Sequence, residues 1–216
     1  MKNAENNRKV GKLQKDKLEA KEYVDVRSNN LGEHMEKYGE SLMGLVVSKK
    51  NLLLAAQAVR QNKGAAGIDG MTVHEVEAHI IEFYPHLRRK LLDGTYKPQP
   101  VRRVEIPKPN GGIRKLGIPV VRDRVVQQAI RQIIEPIIDP HFHPNSHGFR
   151  IGKSNHSALK QCVNFYKEGY PVVVDSDLKQ CFDTLNHDKL MYYLEQYIHD
   201  KAILKIIRKF LLSGVI

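Results

Sequence analysis

Apolar residues recur every three or four positions in two stretches of the first half of the chain. Such spacing places side chains along one face of a helix and predicts an amphipathic helix that buries that face. Ser48 is typical of a helix start, and Thr72 with Glu75 has the form of a capping box. We therefore expect one helix from Ser48 to about Asn62, and another that ends before Gly94. Their apolar positions are Leu52, Leu53, Ala56 and Val59 in the first helix, and Val76, Ile80, Phe83, Leu87 and Leu91 in the second.

Between residues 101 and 118 the pattern changes from helical spacing to alternation. Val101 to Ile106 alternates basic and apolar residues, which is typical of a half-buried strand. The sequence Pro-Lys-Pro-Asn-Gly-Gly follows, and Asn-Gly is a frequent hairpin turn. We expect Ile113 to Ile118 to pair back as the second strand of an antiparallel hairpin.

The second half of the chain combines helical periodicity with one apolar run. The periodicity covers residues 120–138, 154–168, 187–198 and 201–212. Tyr170 to Asp177 is a continuous apolar run closed by acids, which predicts a buried strand. Because helices and strands do not alternate regularly, the expected fold class is α+β. Residues 1–40 are polar, and we expect a flexible or helical leader there.

Positive charge is concentrated in one region of the chain. The net charge is +11, and between His86 and Arg131 twelve basic residues against three acidic ones leave +9. Such a concentration is typical of a surface that contacts phosphates, while a solvated face without a ligand is the alternative. The candidate nucleic-acid-binding residues are Arg88, Arg89, Lys97, Arg102, Arg103, Lys115, Arg122, Arg124 and Arg131.

Other classes of protein are disfavoured by the same sequence. No apolar run approaches the roughly 18 residues of a membrane span, and the N-terminus lacks the apolar segment of a signal peptide. A membrane-surface protein would need an amphipathic basic helix, whereas the basic cluster centres on a hairpin. Cys162 and Cys181 match no zinc spacing, and we expect reduced core thiols in a cytoplasmic protein.

Three carboxylates follow the apolar run, at Asp175, Asp177 and Asp183. On an extended strand Asp175 and Asp177 point to the same face, and two such carboxylates could hold Mg²⁺. From these residues alone, a solvated strand end is the preferred interpretation. Asp183 has the position of a turn or helix-cap residue.

Four segments, in this order and spacing, resemble group II intron-encoded reverse transcriptases, which also act as maturases. They cover roughly residues 45 to 200. The segments are NKGAAGIDGMTV from Asn62, VEIPKPNGGIRKLGIPVVRDRVVQQAI from Val104, SHGFRIGKSNHSAL from Ser146, and VDSDLKQCFDTLNHDKL from Val174.

This resemblance implies a right-hand polymerase fold, with fingers at residues 41–168 and the beginning of an incomplete palm at 169–216. It implies that Asp177 and the backbone carbonyl of Leu178 bind Mg²⁺ in a two-metal site. It also implies that Asp177 is the catalytic aspartate of this part of the chain.

The resemblance further implies how a nucleotide is bound. Lys108 and Arg114 correspond to fingers residues that hold the triphosphate, and the physical properties of the two side chains agree with that role. Phe182 corresponds to the residue that excludes a ribose 2′-hydroxyl; without the motif, an ordinary core phenylalanine would be preferred. Arg150 is expected near the template or the nucleotide.

The family's Tyr-Ala-Asp-Asp motif, which supplies further carboxylates, has no counterpart in the 216 residues. One aspartate and one carbonyl cannot hold two Mg²⁺ ions in an all-oxygen octahedral field. Residues 1–216 by themselves are therefore expected to lack polymerase activity.

Two functions follow from these patterns. The first is the N-terminal part of an RNA-directed DNA polymerase that binds template RNA, intron RNA, a DNA primer and dNTP, with no membrane partner. The second is a non-catalytic RNA-binding module that assists intron folding and splicing and would survive Asp177→Ala. The unpaired edge of the 170–174 strand is expected to attract a second copy or a complementing C-terminal half.

Overall fold

The computed structural model describes residues 41–109, 111–178 and 180–216 of the chain. These residues form two compact units. The first consists of residues 41–133 together with Asp200–Ile216, and the second of Ile134–His199. Within the described ranges, no helix combines the length and the apolar character that a bilayer crossing requires.

The first unit opens with three helices, α1 (Leu42–Val46), α2 (Lys49–Gln61) and α3 (Val76–Leu92). α2 begins as predicted after Ser48, whose hydroxyl oxygen accepts the amide hydrogen of Asn51 at 3.3 Å. That contact satisfies one of the amide donors that every helix start leaves without an intrahelical partner. The short helix α1 was not predicted.

The predicted capping box at Thr72 forms only in part. The Glu75 carboxylate accepts the amide and the hydroxyl of Thr72 at 2.8 and 2.6 Å, and these bonds lower the pKa of Glu75. The regular helix, however, begins at Val76, and Glu75 makes no side-chain cap bond to it. The pair therefore closes the turn that leads into α3.

Two buried amide side chains connect α2 to α4 (Val121–Ile138). Asn51 Nδ2 donates to the carbonyls of Val46 and Ala129 at 3.0 and 3.1 Å. Gln132 Nε2 in turn donates to Asn51 Oδ1 at 2.7 Å. Because buried amides are costly unless they are bonded, this network fixes how α2 and α4 pack.

The predicted hairpin is confirmed, with strands β1 (Arg102–Pro107) and β2 (Ile113–Ile118) in antiparallel register. Its turn is closed by the amide of Lys108, which donates to the carbonyl of Gly112 at 3.0 Å. Gly112 has φ +85°, a backbone conformation that residues other than glycine rarely adopt. Only Arg102 and Val104 of β1 and Ile118 of β2 are partly buried, so most of the hairpin is more exposed than predicted.

The second unit contains a 3₁₀ turn and the helices α5 (Asn155–Lys167) and α6 (His187–Glu195). α5 starts with a reciprocal capping box. The amide of Ser157 donates to the Ser154 hydroxyl at 3.2 Å, and the amide of Ser154 donates to the Ser157 hydroxyl at 2.9 Å. The predicted helices of this region are thus confirmed to within a few residues.

The last helix, α7 (Lys201–Leu211), returns the chain to the first unit. Beyond α7 the chain lies parallel to the base of the hairpin, in a pairing that was not predicted. The amide of Val101 donates to the Gly214 carbonyl at 3.1 Å, and the amide of Ile216 donates to the Val101 carbonyl at 2.9 Å.

The predicted strand from Tyr170 to Asp177 is wrong, because this segment has no regular secondary structure. Val172, Val173 and Val174 are 80, 86 and 89% exposed. An apolar run is buried as a strand only where a sheet accepts it, and β1–β2 is the only sheet within the part of the chain that the structure describes.

The cysteines also differ from the prediction. Cys162 and Cys181 are exposed free thiols, so their assignment to the core is wrong. Each lies in a part of the second unit with little burial, and the residues of α5 include none that is fully buried.

Helices with one small antiparallel sheet are compatible with the α+β class. The core of the first unit is formed by apolar side chains from its helices and from the residues just before α4. They include Val46, Leu52, Ala56, Ile80, Leu91, Val120, Val125, Ala129 and Ile203.

Candidate nucleic-acid interface

The hairpin divides its candidate residues between two faces. Residues opposite each other in an antiparallel pair point to the same side, and the side alternates along the strand. Arg114 lies opposite Ile106, whereas Lys115 lies opposite Glu105. Arg114 therefore shares a face with Ile106, and the next alternation adds Lys108 to that face.

The other face of the hairpin carries a different set of charges. Arg103 and Lys115 lie there together with Glu105, because the register alternates them with the residues of the Arg114 face. All three are exposed. The sequence had suggested one basic surface, whereas the register separates the nucleotide candidates Lys108 and Arg114 from the nucleic-acid candidates Arg103 and Lys115.

Two other candidates bond to the protein's own backbone. Arg102 Nε and Nη2 donate to the carbonyl of Ala66 at 3.2 and 2.8 Å. Arg124 Nη2 donates to the carbonyl of Ala65. Burial lowers the pKa of Arg124. These guanidinium groups hold the loop at residues 64–70, a contact that the sequence does not reveal.

The same loop packs against the beginning of α4 without space for a side chain at Gly67. A Cβ atom added there would lie 2.5 Å from Val120 Cα and 2.7 Å from Val120 N. At Gly64 a Cβ would meet only the guanidinium of Arg124, the end of a flexible side chain that can move away. Glycine at position 67 therefore lets two backbones approach closely.

The connection from α3 to the hairpin is fixed by a buried acid–phenol pair. The Tyr96 hydroxyl donates to Asp123 Oδ1, and the amide of Gln99 donates to Asp123 Oδ2 at 2.7 Å. Burial raises the pKa of Tyr96 and also that of Asp123. Lys209 Nζ completes the arrangement by donating to the carbonyls of Gly94 and Tyr96 at 2.7 and 2.8 Å.

This arrangement was missed by the sequence analysis, which counted Asp123 only as an acid opposing the basic cluster. An acid inside such a cluster is a weak signal by itself, because an exposed carboxylate and a buried one have the same sequence. The partners of Asp123, Tyr96 and Gln99, lie 27 and 24 positions away along the chain.

The remaining basic candidates lie on the surface of the first unit. Arg122, next to Asp123, is half-buried, and its Nε has no hydrogen-bond acceptor among the described residues. Arg89 Nη2 lies 3.4 Å from His86 Nδ1. The exposed members are Arg88, Arg89, Lys97, Arg103, Lys115 and Arg131.

Arg150 is the most extensively bonded candidate in the second unit. Nε and Nη2 donate to the Asp139 carboxylate at 2.7 and 3.0 Å, and Nη2 also donates to the Asp139 carbonyl at 2.9 Å. Nη1 donates to the carbonyls of His143 and Ser146 at 2.9 and 3.1 Å. A guanidinium has five N–H donors, and all five are thus engaged.

The candidate metal-binding segment is exposed. Asp177 lies in a stretch without regular structure, with Leu178 74% and Phe182 89% exposed. Phe182 lies in a turn in which the amide and hydroxyl of Thr184 both donate to the carbonyl of Gln180 at 3.0 Å.

The oxygen ligands of this segment suit Mg²⁺ in kind but not in number. Within the residues that the structure describes, no three His, Cys, Asp or Glu side chains come together as a metal-binding group.

Comparison with protein families matches the end of β1 and the residues that follow it. Residues 106–216 match the family model described as "Reverse transcriptase (RNA-dependent DNA polymerase)". The chain belongs to the reverse transcriptase family. The matched segment includes Lys108, Arg114, Arg150 and Asp177.

Curated relatives of this reverse transcriptase domain are group II intron and other intron proteins. The chain is 35% identical over 188 residues to the "Group II intron-encoded protein LtrA" of Lactococcus lactis subsp. cremoris, covering 87% of this chain and 31% of that protein. It is 31% identical over 218 residues to the "Putative COX1/OXI3 intron 1 protein" of Saccharomyces cerevisiae, covering 98% of this chain and 26% of the relative.

A third relative, "Protein YkfC" of Escherichia coli, is 36% identical over 181 residues, covering 81% of this chain and 48% of that protein. The chain thus spans from about a quarter to about half the length of these three relatives. The resemblance to group II intron-encoded reverse transcriptases is confirmed, and the family to which the chain belongs is that of RNA-dependent DNA polymerases.

Proposed function

We propose that this chain is the N-terminal part of a group II intron-type reverse transcriptase that binds an RNA template, a DNA primer and a dNTP. The observation that carries the proposal is the hairpin register. It pairs Arg114 with Ile106 near the tip, and the exposed Lys108 follows the strand two residues after Ile106, where its amide donates to the Gly112 carbonyl at 3.0 Å. Two cations near the tip of a hairpin are suited to a polyphosphate.

The two side chains would divide the work on a triphosphate. Arg114 offers paired N–H donors that fit two phosphate oxygens, while Lys108 acts as a compact point charge. Phe182, in its turn, is proposed to exclude a ribose 2′-hydroxyl by steric overlap.

The acidic segment is proposed to supply part of a metal site. Asp177 and the carbonyl of Leu178 would each offer one hard oxygen ligand to Mg²⁺, and the remaining ligands would have to come from elsewhere. We retain residues 41–168 as proposed fingers and 169–216 as the beginning of the palm.

Arg150 stays a proposed neighbour of the template or the nucleotide. Its five donors are engaged within its own loop. A direct contact with an incoming phosphate would therefore require it to exchange one of these bonds. A role in shaping the loop near the nucleotide needs no such exchange.

The test is RNA-templated extension of a DNA primer by the longest open reading frame that contains these residues. We expect extension by that protein, loss of it in Asp177→Asn, and none from residues 1–216 alone. Arg114→Gln should raise the KM for dNTP at least about tenfold, since a charge-assisted contact of roughly 1.5–3 kcal/mol is lost. Extension that persists in Asp177→Asn would contradict the proposal.

A second candidate function is a non-catalytic RNA-binding module, which the concentration of +9 between His86 and Arg131 favours. Such a module would bind structured RNA through its phosphates and shape. Affinity would fall as salt rises, and Asp177→Ala would leave it unchanged. RNA binding that ignores salt would rule this function out.

A further inference from the structure

A pocket on the first unit lies between the second half of α3, the residues that follow it, and the beginning of α4. Its volume is about 240 Å³. The basic side chains of His86, Lys90, Lys97 and Arg122 line it, and no carboxylate does. Leu87 and Tyr96, each 3% exposed, supply its buried lining. The pocket is therefore a concave cationic site on an apolar base.

The guanidinium of Arg122 carries a donor that the protein does not satisfy. Its Nε is buried without an acceptor among the residues described. The Nε of the neighbouring Arg124 is in the same state, although Arg124 Nη2 donates to a loop carbonyl. A buried donor without an acceptor is costly, and a bound anion would remove that cost.

His86 adds a second donor to the site. Arginine only donates hydrogen bonds, so in the 3.4 Å contact with Arg89 the His86 Nδ1 atom is the acceptor. With Nδ1 as the acceptor, Nε2 is the ring nitrogen that can donate to a ligand. Lys90 and Lys97, both exposed, bring flexible charge to the rim.

The pocket is already formed without a ligand. The Tyr96 hydroxyl donates to Asp123, and Lys209 donates to the carbonyls of Gly94 and Tyr96. The nearest carboxylate in sequence to Arg122, that of Asp123, is buried and accepts from Tyr96 and Gln99. Fixed walls reduce the ordering that a ligand must impose when it binds.

The mouth of the pocket carries an aromatic side chain. Phe83 lines the pocket, is 42% exposed, and stacks on His79 with 4.4 Å between ring centroids. Cations beside an exposed aromatic ring are the combination that binds single-stranded nucleic acid, where the ring stacks with a base and the cations hold the phosphate. An isolated inorganic anion would gain nothing from Phe83.

We propose that this pocket binds one phosphate group of the RNA backbone, with the adjoining base against Phe83. This inference deepens the proposed function and rests on it, because RNA supplies the phosphate. The site is separate from the Lys108–Arg114 face of the hairpin, since none of its lining residues belongs to β1 or β2.

The test measures binding of a fluorescein-labelled, unpaired single-stranded RNA to the 216-residue chain by anisotropy at several salt concentrations. The pocket variant is Lys97→Gln with Arg122→Gln. The control variant is Lys49→Gln with Lys201→Gln, which removes two exposed charges elsewhere on the same unit. We expect about tenfold weaker binding and a salt slope lower by roughly one to two units for the pocket variant, and under about threefold for the control.

A second pair of variants tests the site without removing its cations. Thr95 lines the pocket and is exposed. Thr95→Glu adds a carboxylate, while Thr95→Gln adds the same bulk without charge. We expect the glutamate variant to bind RNA more weakly than the glutamine variant. Equal binding by these two, or equal losses in the pocket and control variants, would overturn the proposal.

Two further experiments distinguish RNA from dNTP as the source of the phosphate, and distinguish a failure of the pocket proposal from a failure of the proposed function. If the substitutions in the pocket variant weaken the binding of a fluorescent dNTP but not that of RNA, the nucleotide is the ligand and the RNA assignment is overturned. If the wild-type chain fails to bind RNA at any salt, the proposed function fails. In that case the pocket is tested by itself, by following the NMR resonance of the Arg122 Nε–H group while inorganic phosphate is added. A resonance that does not shift rejects the pocket as a phosphate site.

Discussion

The guanidinium of Arg150 binds the carboxylate of Asp139 through two parallel hydrogen bonds, Nε to Oδ1 at 2.7 Å and Nη2 to Oδ2 at 3.0 Å. This side-on pairing matches the planar donors of arginine to the two carboxylate oxygens. The Arg150 group also lies 5.6 Å from the ring centroid of Phe142. The residues between Asp139 and Arg150 are thereby closed into one loop.

The closure of that loop should depend on pH. Hydrogen bonding to Arg150 lowers the pKa of Asp139 below its ordinary 3.8. Because the pKa is depressed in the folded loop, the stabilisation is complete well above pH 3.8 and is lost as the pH falls through the lower folded-state value. The protection of residues 139–153 against hydrogen exchange, expressed relative to the intrinsic rate of their amides at each pH, should therefore fall on acidification.

Asp139→Asn is the control for this pH dependence, since it keeps the shape of the side chain and removes the titration. In that variant exchange should be faster at neutral pH and should change less on acidification. Arg150→Lys should also loosen the loop, because an ammonium cannot reproduce five planar donors. A wild-type loop whose exchange follows only the intrinsic pH dependence of amides would refute the expectation.

The same substitution should change RNA binding at Arg103 but protein stability at its neighbour Arg102. Arg103→Gln removes an exposed charge and should lower the salt slope of RNA binding by about one unit with little effect on folding. Arg102→Gln removes the donors to Ala66 and should lower the free energy of unfolding by roughly 1–3 kcal/mol.

Thermal melts and RNA titrations of these two variants, measured side by side, check the assignment. The Arg102 variant should melt lower, and the Arg103 variant should melt like the wild type. Equal melting temperatures with equal losses of RNA affinity would instead make both residues phosphate contacts.

Gly67→Ala should destabilise the first unit. The added methyl group would lie 2.5 Å from Val120 Cα, so the loop or α4 must shift. Overpacking of this kind costs about 1–3 kcal/mol, which denaturant unfolding can measure. Gly148→Ala is the comparison, because a Cβ there meets nothing within 4 Å and the φ angle of Gly148 is not in the left-handed region. An effect at Gly67 no larger than that at Gly148 would contradict the close approach to Val120.

Tyr96→Phe should weaken the connection between α3 and the hairpin. The substitution keeps the ring and removes the hydroxyl that donates to the buried Asp123. A buried carboxylate deprived of a donor costs roughly 1–3 kcal/mol, and the loss should appear in the free energy of unfolding. Tyr192→Phe, at a 63% exposed ring, should be nearly neutral. Similar stability of the two variants would show that the Asp123 contact contributes little.

The exposed run at Val172–Val174 should make the 216-residue chain self-associate as its concentration rises. Contiguous exposed apolar side chains are characteristic of surfaces that another chain covers. Val173→Lys should favour the monomer, and Ser176→Lys, which adds the same charge at an exposed polar position, should do so less. Sedimentation velocity distinguishes these cases, and a wild-type monomer at every concentration would refute the idea.

The helices and the hairpin were predictable because their signals are local. Ser48 and Ser154 precede helices that they cap, and the turn at Gly111–Gly112 follows from glycine's access to positive φ. The motif residues Lys108 and Arg114 could likewise be selected from the sequence. Each of these features depends on neighbours within a few positions.

Features that depend on distant partners were not predictable. Arg102 and Arg103 are identical in sequence terms, yet one bonds to a carbonyl 36 positions away and the other is exposed. The strand predicted at Tyr170–Asp177 failed for the same reason, since a continuous apolar run does not show whether a sheet is present to accept it. The burial of Asp123 could not be predicted either, because it depends on the hydrogen bond from Tyr96, 27 positions away.

The pairing of Ile216 with Val101 and of Lys209 with Gly94 affects the order of folding during synthesis. Both contacts join residues more than a hundred positions apart, and the whole of the second unit is translated between them. Contacts of such separation form slowly, because a long segment must be closed before they provide any stabilisation. The ribosome therefore releases the hairpin long before its base can be completed, and until α7 emerges the exposed cationic strands are available to a chaperone or to the RNA itself.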